Sequence, residues 1–551
     1  PFLPPIDAPV PPPAASRIER QLTLSRLIAA WAGTPQGREV LADPPTPAEI
    51  LHLADLMGEL IDDIEIEGAE IGRLDALLAE RDLAGNWQQT ARLLAIALEF
   101  WPRALAERGR IDPAALRNMR LEREASAARL VFGERPVIAA GSTGSIPATA
   151  RLLAAILDLE RGALVLPGFD TALGPADVEA LSDAEGTPHG HPQYGLVKLL
   201  RQLRALPGDV VELAPRPAPR TLIVRQSLAL AEATSEWSAA RARLAGALPQ
   251  AMEGLAVLAA PTEDVEARAI ALVAVEGLGR DRTVGIVSPD RDLARRIAAE
   301  LARFGIDVDD AAGTPLFQSP AGRLARQILA VAASDFAAVD LMALLRNRAA
   351  QFGLDRGEVA RRADRIDLGL LRGTRPSPGL GGLRSLLDEN VAGTMPHTPL
   401  RLGPADAGAI GGLFDRIGMA FAPLRALLAE DAFSVSAFAQ ALSGCFDAVV
   451  AGAADVLPPG GAEFRTWVAD ALAGGEGPAL SPTGLEDVMA ALMRGREVRN
   501  PVPRRDDIAI WGQLEARLQN PGVMVLAGLN EGVWPEAADP GPWLGRNMRI
   551  G

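Results

Sequence analysis

Two stretches of this chain carry residues whose types and spacing could do chemistry. The first is Gly141-Ser142-Thr143-Gly144-Ser145, set between an apolar run at 137–140 and a helix start at Pro147. A glycine-rich turn from strand to helix can present backbone N–H groups to a phosphate. The same turn needs glycines for steric reasons alone, so a plain turn and a phosphate or nucleic-acid contact both stand. The phosphate-loop pattern GxxxxGK(S/T) is absent, and Lys198, the single lysine, lies elsewhere. The second stretch is 506–535, introduced by Arg504 and Arg505 and holding Trp511, Arg517, Asn530 and Trp534. Cations mixed with stacking rings suit a groove for single-stranded nucleic acid. Arginine and tryptophan also pack beside strands, so this reading too has a structural counterpart.

The remaining candidates are weaker. His189 and His191 with Asp183 and Glu185 have metal-binding side chains, but a Gly/Pro-rich polar loop offers no second layer of partners to hold a cage, and an exposed loop is expected. Asp62, Asp63, Glu65 and Glu67 point in several directions on a helix, which reads as a solvated face. His52 and His397 are isolated, and no Ser-His-Asp set can be assembled. Neither a catalytic residue nor a metal ligand is therefore assigned.

The elements that must position these residues follow from the apolar period. The proline-rich lead-in PFLPPIDAPVPPP cannot be helical. Helices are expected from Ile18 to about Trp31, from Thr46-Pro47, and at 70–82, 87–107 and 113–131. At Pro136 the period changes. Strands at 137–140 and 164–166 flank a helix at 147–159, and a second unit has a strand at 283–287, a helix from Asp290 to Arg303 and a closing run at 305–308. Helices return over 320–500. Strands at 508–511 and 523–527 follow, joined by a helical turn, GQLEARLQ, that would make them parallel neighbours. The second of these ends in the Gly528–Gly532 loop, at the strand end where α/β sheets bind ligands.

Composition bounds the class. The chain has 551 residues, enough for two to four domains, and no apolar run near the roughly 18 residues of a membrane span. Cys445 is the only cysteine, which excludes an internal disulfide and a cysteine-rich metal site and agrees with a cytoplasmic location. A formal charge of −15 argues against coating nucleic acid by bulk electrostatics, though not against a local arginine channel. The start at Pro1 and the stop at Gly551 lead us to expect a piece of a longer protein.

With these residues in place, the chain resembles the AddB subunits of bacterial AddAB helicase–nucleases. The segment GSTGSIPATARLL at 141–153 is similar to their remnant of a helicase motif. Residues 283–317 resemble the second motor domain. LEARL at 514–518 with LAGLNEGVWP at 526–535 is similar to their counterpart of helicase motif V and its following strand. The resemblance implies an α/β, superfamily 1 helicase-type motor fold with large all-helical regions. It divides the chain into a helical region (1–132), a first-motor remnant (133–214), a second motor-like domain (221–319), a helical insertion (320–505) and the return strands of the second motor-like domain (506–551).

The departures set the expected chemistry. An active motor of this type has a strand ending in Asp-Glu that holds Mg²⁺ for ATP hydrolysis. Here the stretch before Val137 reads as helix, Ser142 stands where an aspartate would be, and no glutamine follows it. The resemblance therefore implies a degenerate motor that binds DNA, as double-strand ends and single strand, beside an AddA-like helicase–nuclease subunit. Mg²⁺, a 4Fe-4S cluster and nuclease residues would belong to a domain beyond Gly551, and no cofactor to these residues. The alternative is an active ATP-dependent helicase whose phosphate loop lies upstream of Pro1.

Overall fold

The computed structural model describes residues 10–41, 43–69, 85–182, 190–213, 219–230, 237–308, 313–373, 375–395, 398–452, 457–499, 505–535 and 543. Among the described residues the chain is helix-rich with three small sheets. Among the described residues no helix is long and apolar enough to cross a membrane.

The N-terminal region is helical at Arg17–Ala32, Pro35–Val40, Pro47–Glu67, Gly85–Glu107 and Pro113–Phe132; the expected helix at 70–82 lies outside the described residues. Local chemistry sets two of the starts. Thr46 and Glu49 form a capping box, Glu49 N donating to Thr46 Oγ1 at 3.3 Å and Thr46 N to Glu49 Oε2 at 2.7 Å. Those bonds hold the Glu49 carboxyl below its ordinary range. Asp112 Oδ1 accepts Ala114 N at 2.8 Å, while its Oδ2 takes the indole N–H of Trp101 at 2.9 Å. Arg20 meets Asp62 bidentately at 2.6 and 2.8 Å and lies 3.5 Å from Asp112. Asp62 therefore belongs to an ion-paired seam, and Glu67 stands 3.8 Å from Lys198.

Val137–Ala140 (β1) and Gly162–Val165 (β2) pair in parallel around helix Pro147–Leu157. Strand β2 starts two residues before the expected run. Gly162 is required there, since a Cβ would lie 1.7 Å from the carbonyl oxygen of Ile156, and an apolar-run reading passes over a glycine.

The second sheet is built on Val284–Val287 (β3). After it come Thr314–Pro315 (β4), Glu497–Val498 (β5), Ile508–Trp511 (β6) and Val523–Leu526 (β7). The order β6-β3-β7 is parallel throughout, with Val284 in register with Ile508 on one side and Val523 on the other. Helices Glu263–Leu278 and Arg291–Ala302 cover one face, where Ile270, Ala274, Leu293 and Ile297 pack with Ile286 and Ile510.

Three expectations are corrected here. β6 and β7 are not neighbours, because the central place belongs to β3, whose four residues are all buried. GQLEARLQ forms turns rather than a helix, since it must cross β3 on the face opposite the helices. Pro521 and Trp511 close over Gly285 there, where a Cβ would fall 2.2 Å from the Trp511 ring. The run at 305–308 forms no strand.

The helices of 320–499 surround the largest core, in which Phe336 meets Phe421 edge-on at 5.4 Å and Phe446 stacks on Phe464 at 4.4 Å. Ile18, Leu22 and Leu51 belong to that same core, and Gln21 Nε2 donates to Leu51 O and Ala491 O. The N-terminal helices and the later helical region therefore share one interior. β4 and β5 pair antiparallel, so the excursion leaves and returns at a single point.

Candidate nucleic-acid interface

The loop after β1 is shaped by its neighbours. Gly141 has φ +82°, a conformation that favours glycine, and its N–H reaches Val165 O at 3.1 Å. Ser142 Oγ accepts Gly144 N at 3.2 Å, and a Cβ on Gly144 would lie 2.5 Å from Leu199 Cδ1. Packing thus accounts for Gly144. The following helix, Pro147–Leu157, has no side-chain cap on its first N–H groups. Thr143 is half-buried and Ser145 exposed.

The decisive contact joins this loop to the second sheet. Leu518, in the crossover after β6, has φ +63° and places its Cδ1 2.9 Å from where a Cβ of Gly141 would stand. Two loops leaving parallel strands of two different sheets therefore face one another. Beside Leu518, Arg517 is exposed and its guanidinium has no hydrogen bond or ion pair among the described residues. The loop after β7 lies at the same edge of its sheet as the start of the crossover. Its Asn530 carbonyl accepts Val533 N and Trp534 N, both at 3.0 Å, leaving the exposed Asn530 side chain free among the described residues.

The other sequence candidates divide. Trp511 is a packing residue over Gly285. Trp534 is pinned by its indole N–H, which donates to Ala527 O at 3.1 Å. Arg505 precedes β6, at the opposite end of that strand, and holds Asp507 bidentately at 2.9 and 2.7 Å. That bond, ahead of simple charge attraction, keeps the Asp507 carboxyl below its usual range. Arg504 lies outside the described residues. What the fold brings together is the Gly141–Ser145 loop and Leu518, with Arg517 next to it in the chain, while Asn530 stands in the loop at the carboxyl end of β7.

Where a phosphate would be drawn to the second sheet, carboxylates already stand. Asp290 caps helix Arg291–Ala302, accepting Asp292 N at 2.8 Å and Leu293 N at 3.1 Å. Glu266 Oε1 accepts Gly528 N at 2.8 Å. An anionic ligand at either place would meet like charge instead of a cation. Sequence reading missed Leu518 and Glu266, and only Asp290, as a helix start, had a local signal.

A cavity of about 420 Å³ opens beyond β2 among Phe169, Asp170, His191, Gln193, Glu212 and Arg225. Most of its polar groups are engaged with one another. Arg225 pairs with Asp170 at 2.7 Å, and Gln193 bridges Asp170 N and Gly168 O. His191 contacts Leu228 O through Nε2 at 2.7 Å and accepts Gln193 N through Nδ1 at 3.1 Å. Its imidazole is a loop fastener, whereas His189, Asp183 and Glu185 lie outside the described residues, as does His397. Among the described residues, no three His, Cys, Asp or Glu side chains group to hold a metal ion. Cys445 is fully buried and its thiol is pushed up to about 12 by desolvation, so these residues do not fit an iron–sulfur cluster.

No family model matches the chain, and comparison with curated proteins also finds no match.

Proposed function

We propose that the chain is a DNA-holding, inactivated helicase-like part of a helicase–nuclease subunit. In this reading it serves double-strand break repair by homologous recombination and works beside an AddA-like motor subunit in the cytoplasm. One observation carries the proposal: the Gly141 loop, which follows β1, abuts Leu518 of the β6–β7 crossover, with the Arg517 guanidinium beside it unpaired among the described residues. A half-buried glycine turn and a cation unpaired among the described residues suit a sugar–phosphate strand, which needs charge neutralisation without a deep pocket.

Among the described residues, that edge does not bring together the lysine and free carboxylates of a nucleotide motor. Phosphoryl transfer needs a lysine on the phosphates and carboxylates that hold Mg²⁺. Lys198 is paired with Glu67, and Asp290 and Glu266 are spent as hydrogen-bond acceptors for backbone N–H groups. The finer assignment, a superfamily 1 motor of the AddB type, rests on the motif resemblance at 141–153, 283–317 and 514–535 together with this arrangement. Mg²⁺ and a 4Fe-4S cluster would then serve residues other than these.

The test is binding of forked and single-stranded DNA across a salt series, with and without an AddA-like partner. Affinity should fall as salt rises. Undetectable binding at low salt under both conditions overturns the proposal. DNA-stimulated ATP turnover by the full-length parent, with the partner's ATPase disabled, would favour an active motor instead.

A further inference from the structure

We propose that residues 255–260 are a strap that docks in cis as a fourth parallel strand on the open edge of β7, giving the second sheet an open and a closed state. The run is Leu255-Ala256-Val257-Leu258-Ala259-Ala260, apolar throughout and outside any regular element. Leu255, Val257 and Leu258 are 55%, 93% and 59% exposed. Six consecutive apolar residues held in water are a standing cost unless they have a place to go.

β7 supplies that place. Among the described residues it is an edge strand, in the order β6-β3-β7. Val523 N and Ala527 N donate towards β3, to Thr283 O at 2.8 Å and Val287 O at 2.9 Å. By the alternation of a parallel ladder, Met524 and Leu526 turn their N–H and C=O groups outward. Their side chains are 41% and 50% exposed. An unpaired edge with apolar side chains is a template for another strand.

The strap's position selects it as the occupant. Helix Glu263–Leu278 runs along β7 in the opposite sense. Near its start Glu266 accepts Gly528 N, just past the carboxyl end of β7, and near its close a Cβ on Gly277 would lie 3.2 Å from Val523. The chain therefore enters this helix beside the carboxyl end of β7. Only Pro261 and the capping Thr262 separate Ala260 from Glu263, an ordinary length for a strand-to-helix connection. Laid down alongside β7, six extended residues cover about 20 Å, enough to pair with its whole length. Closure would also draw helix Leu248–Met252 to the amino end of β7, together with Arg220, which donates to Ala251 O and Glu253 O.

Hydrogen exchange on the unmodified protein is the first test. If the strap closes, the amides of Met524 and Leu526 exchange on the order of 100-fold more slowly than in an unstructured peptide. Exchange at the unstructured rate overturns the proposal. Val257→Pro, at a site 93% exposed, should return both amides to fast exchange, and retained protection counts against the strap as their partner. In a Cys445→Ser background, cysteine at 257 paired in turn with cysteine at 524, 525 or 526 should give a bridge within one chain. A bridge between two copies, or none, refutes docking in cis.

Discussion

Replacing Arg517 by alanine removes a cation that is unpaired among the described residues and stands beside Leu518 at the loop edge. Arg517 is exposed and makes no ion pair or side-chain hydrogen bond among the described residues, so Arg517→Ala should change folding stability by no more than about 0.5 kcal/mol. DNA binding should respond differently. One lost phosphate contact on a single strand lowers the slope of log affinity against log salt by about 0.7. Between about 50 and about 200 mM salt, the variant's affinity should therefore fall about 2.6-fold less than the parent's. Arg505→Ala is the matched control, because Arg505 is held by Asp507 beyond the amino end of β6. Fluorescence anisotropy with a labelled oligonucleotide at four or more salt concentrations reads both slopes. An unchanged slope in Arg517→Ala, or an equal change in Arg505→Ala, would refute the assignment of the loop edge as the DNA-facing side.

Two further outcomes test the packing of the helical region and of the second sheet. Asp367 accepts two hydrogen bonds from Arg372 and lies 3.5 Å from Arg346, and Arg372 foremost keeps its carboxyl below the ordinary range. Its stabilising effect is present above the unfolded carboxylate value near about 4 and is lost as pH falls through the lower folded value. Asp367→Asn should accordingly lower the melting temperature at neutral pH, by an amount equivalent to about 1 kcal/mol or less, and the gap to the parent should close in acid. A gap independent of pH would show that the charge is not responsible. Gly285→Ala places a methyl 2.2 Å from the Trp511 ring and 2.9 Å from Pro521, and should destabilise by about 1–3 kcal/mol, with an altered tryptophan near-ultraviolet signal. Denaturant unfolding that matches the parent would mean the crossover does not close over β3 as described.

The sequence by itself determined the local chemistry of this chain. Thr46-Pro47-Ala48-Glu49 announces a helix start because its cap needs only neighbours three residues apart, and Asp112-Pro113 and Ser288-Pro289-Asp290 do the same. The apolar runs at 137–140, 284–287, 508–511 and 523–526 are legible as strands because each is short, apolar and bounded by proline, glycine or polar residues, although only β3 is buried on both faces. Neighbour relations were not legible. No local signal says that β3, more than two hundred residues earlier, stands between β6 and β7, because strand order is decided by which faces bury together. For the same reason the N-terminal helices were read as separate from the helices of 320–499, with which they share a core.

The site divides along the same line. Gly141–Ser145, Arg517 and Asn530 were visible as residue types suited to a strand-end loop. That Leu518 meets Gly141, that Arg505 is held at the far end of β6 and that Trp511 covers Gly285 were settled only when the sheets were assembled. Contact across hundreds of residues is a property of packing and leaves no period in the chain. Residue type and spacing therefore showed what these loops could bind, and tertiary structure decided which of them face each other.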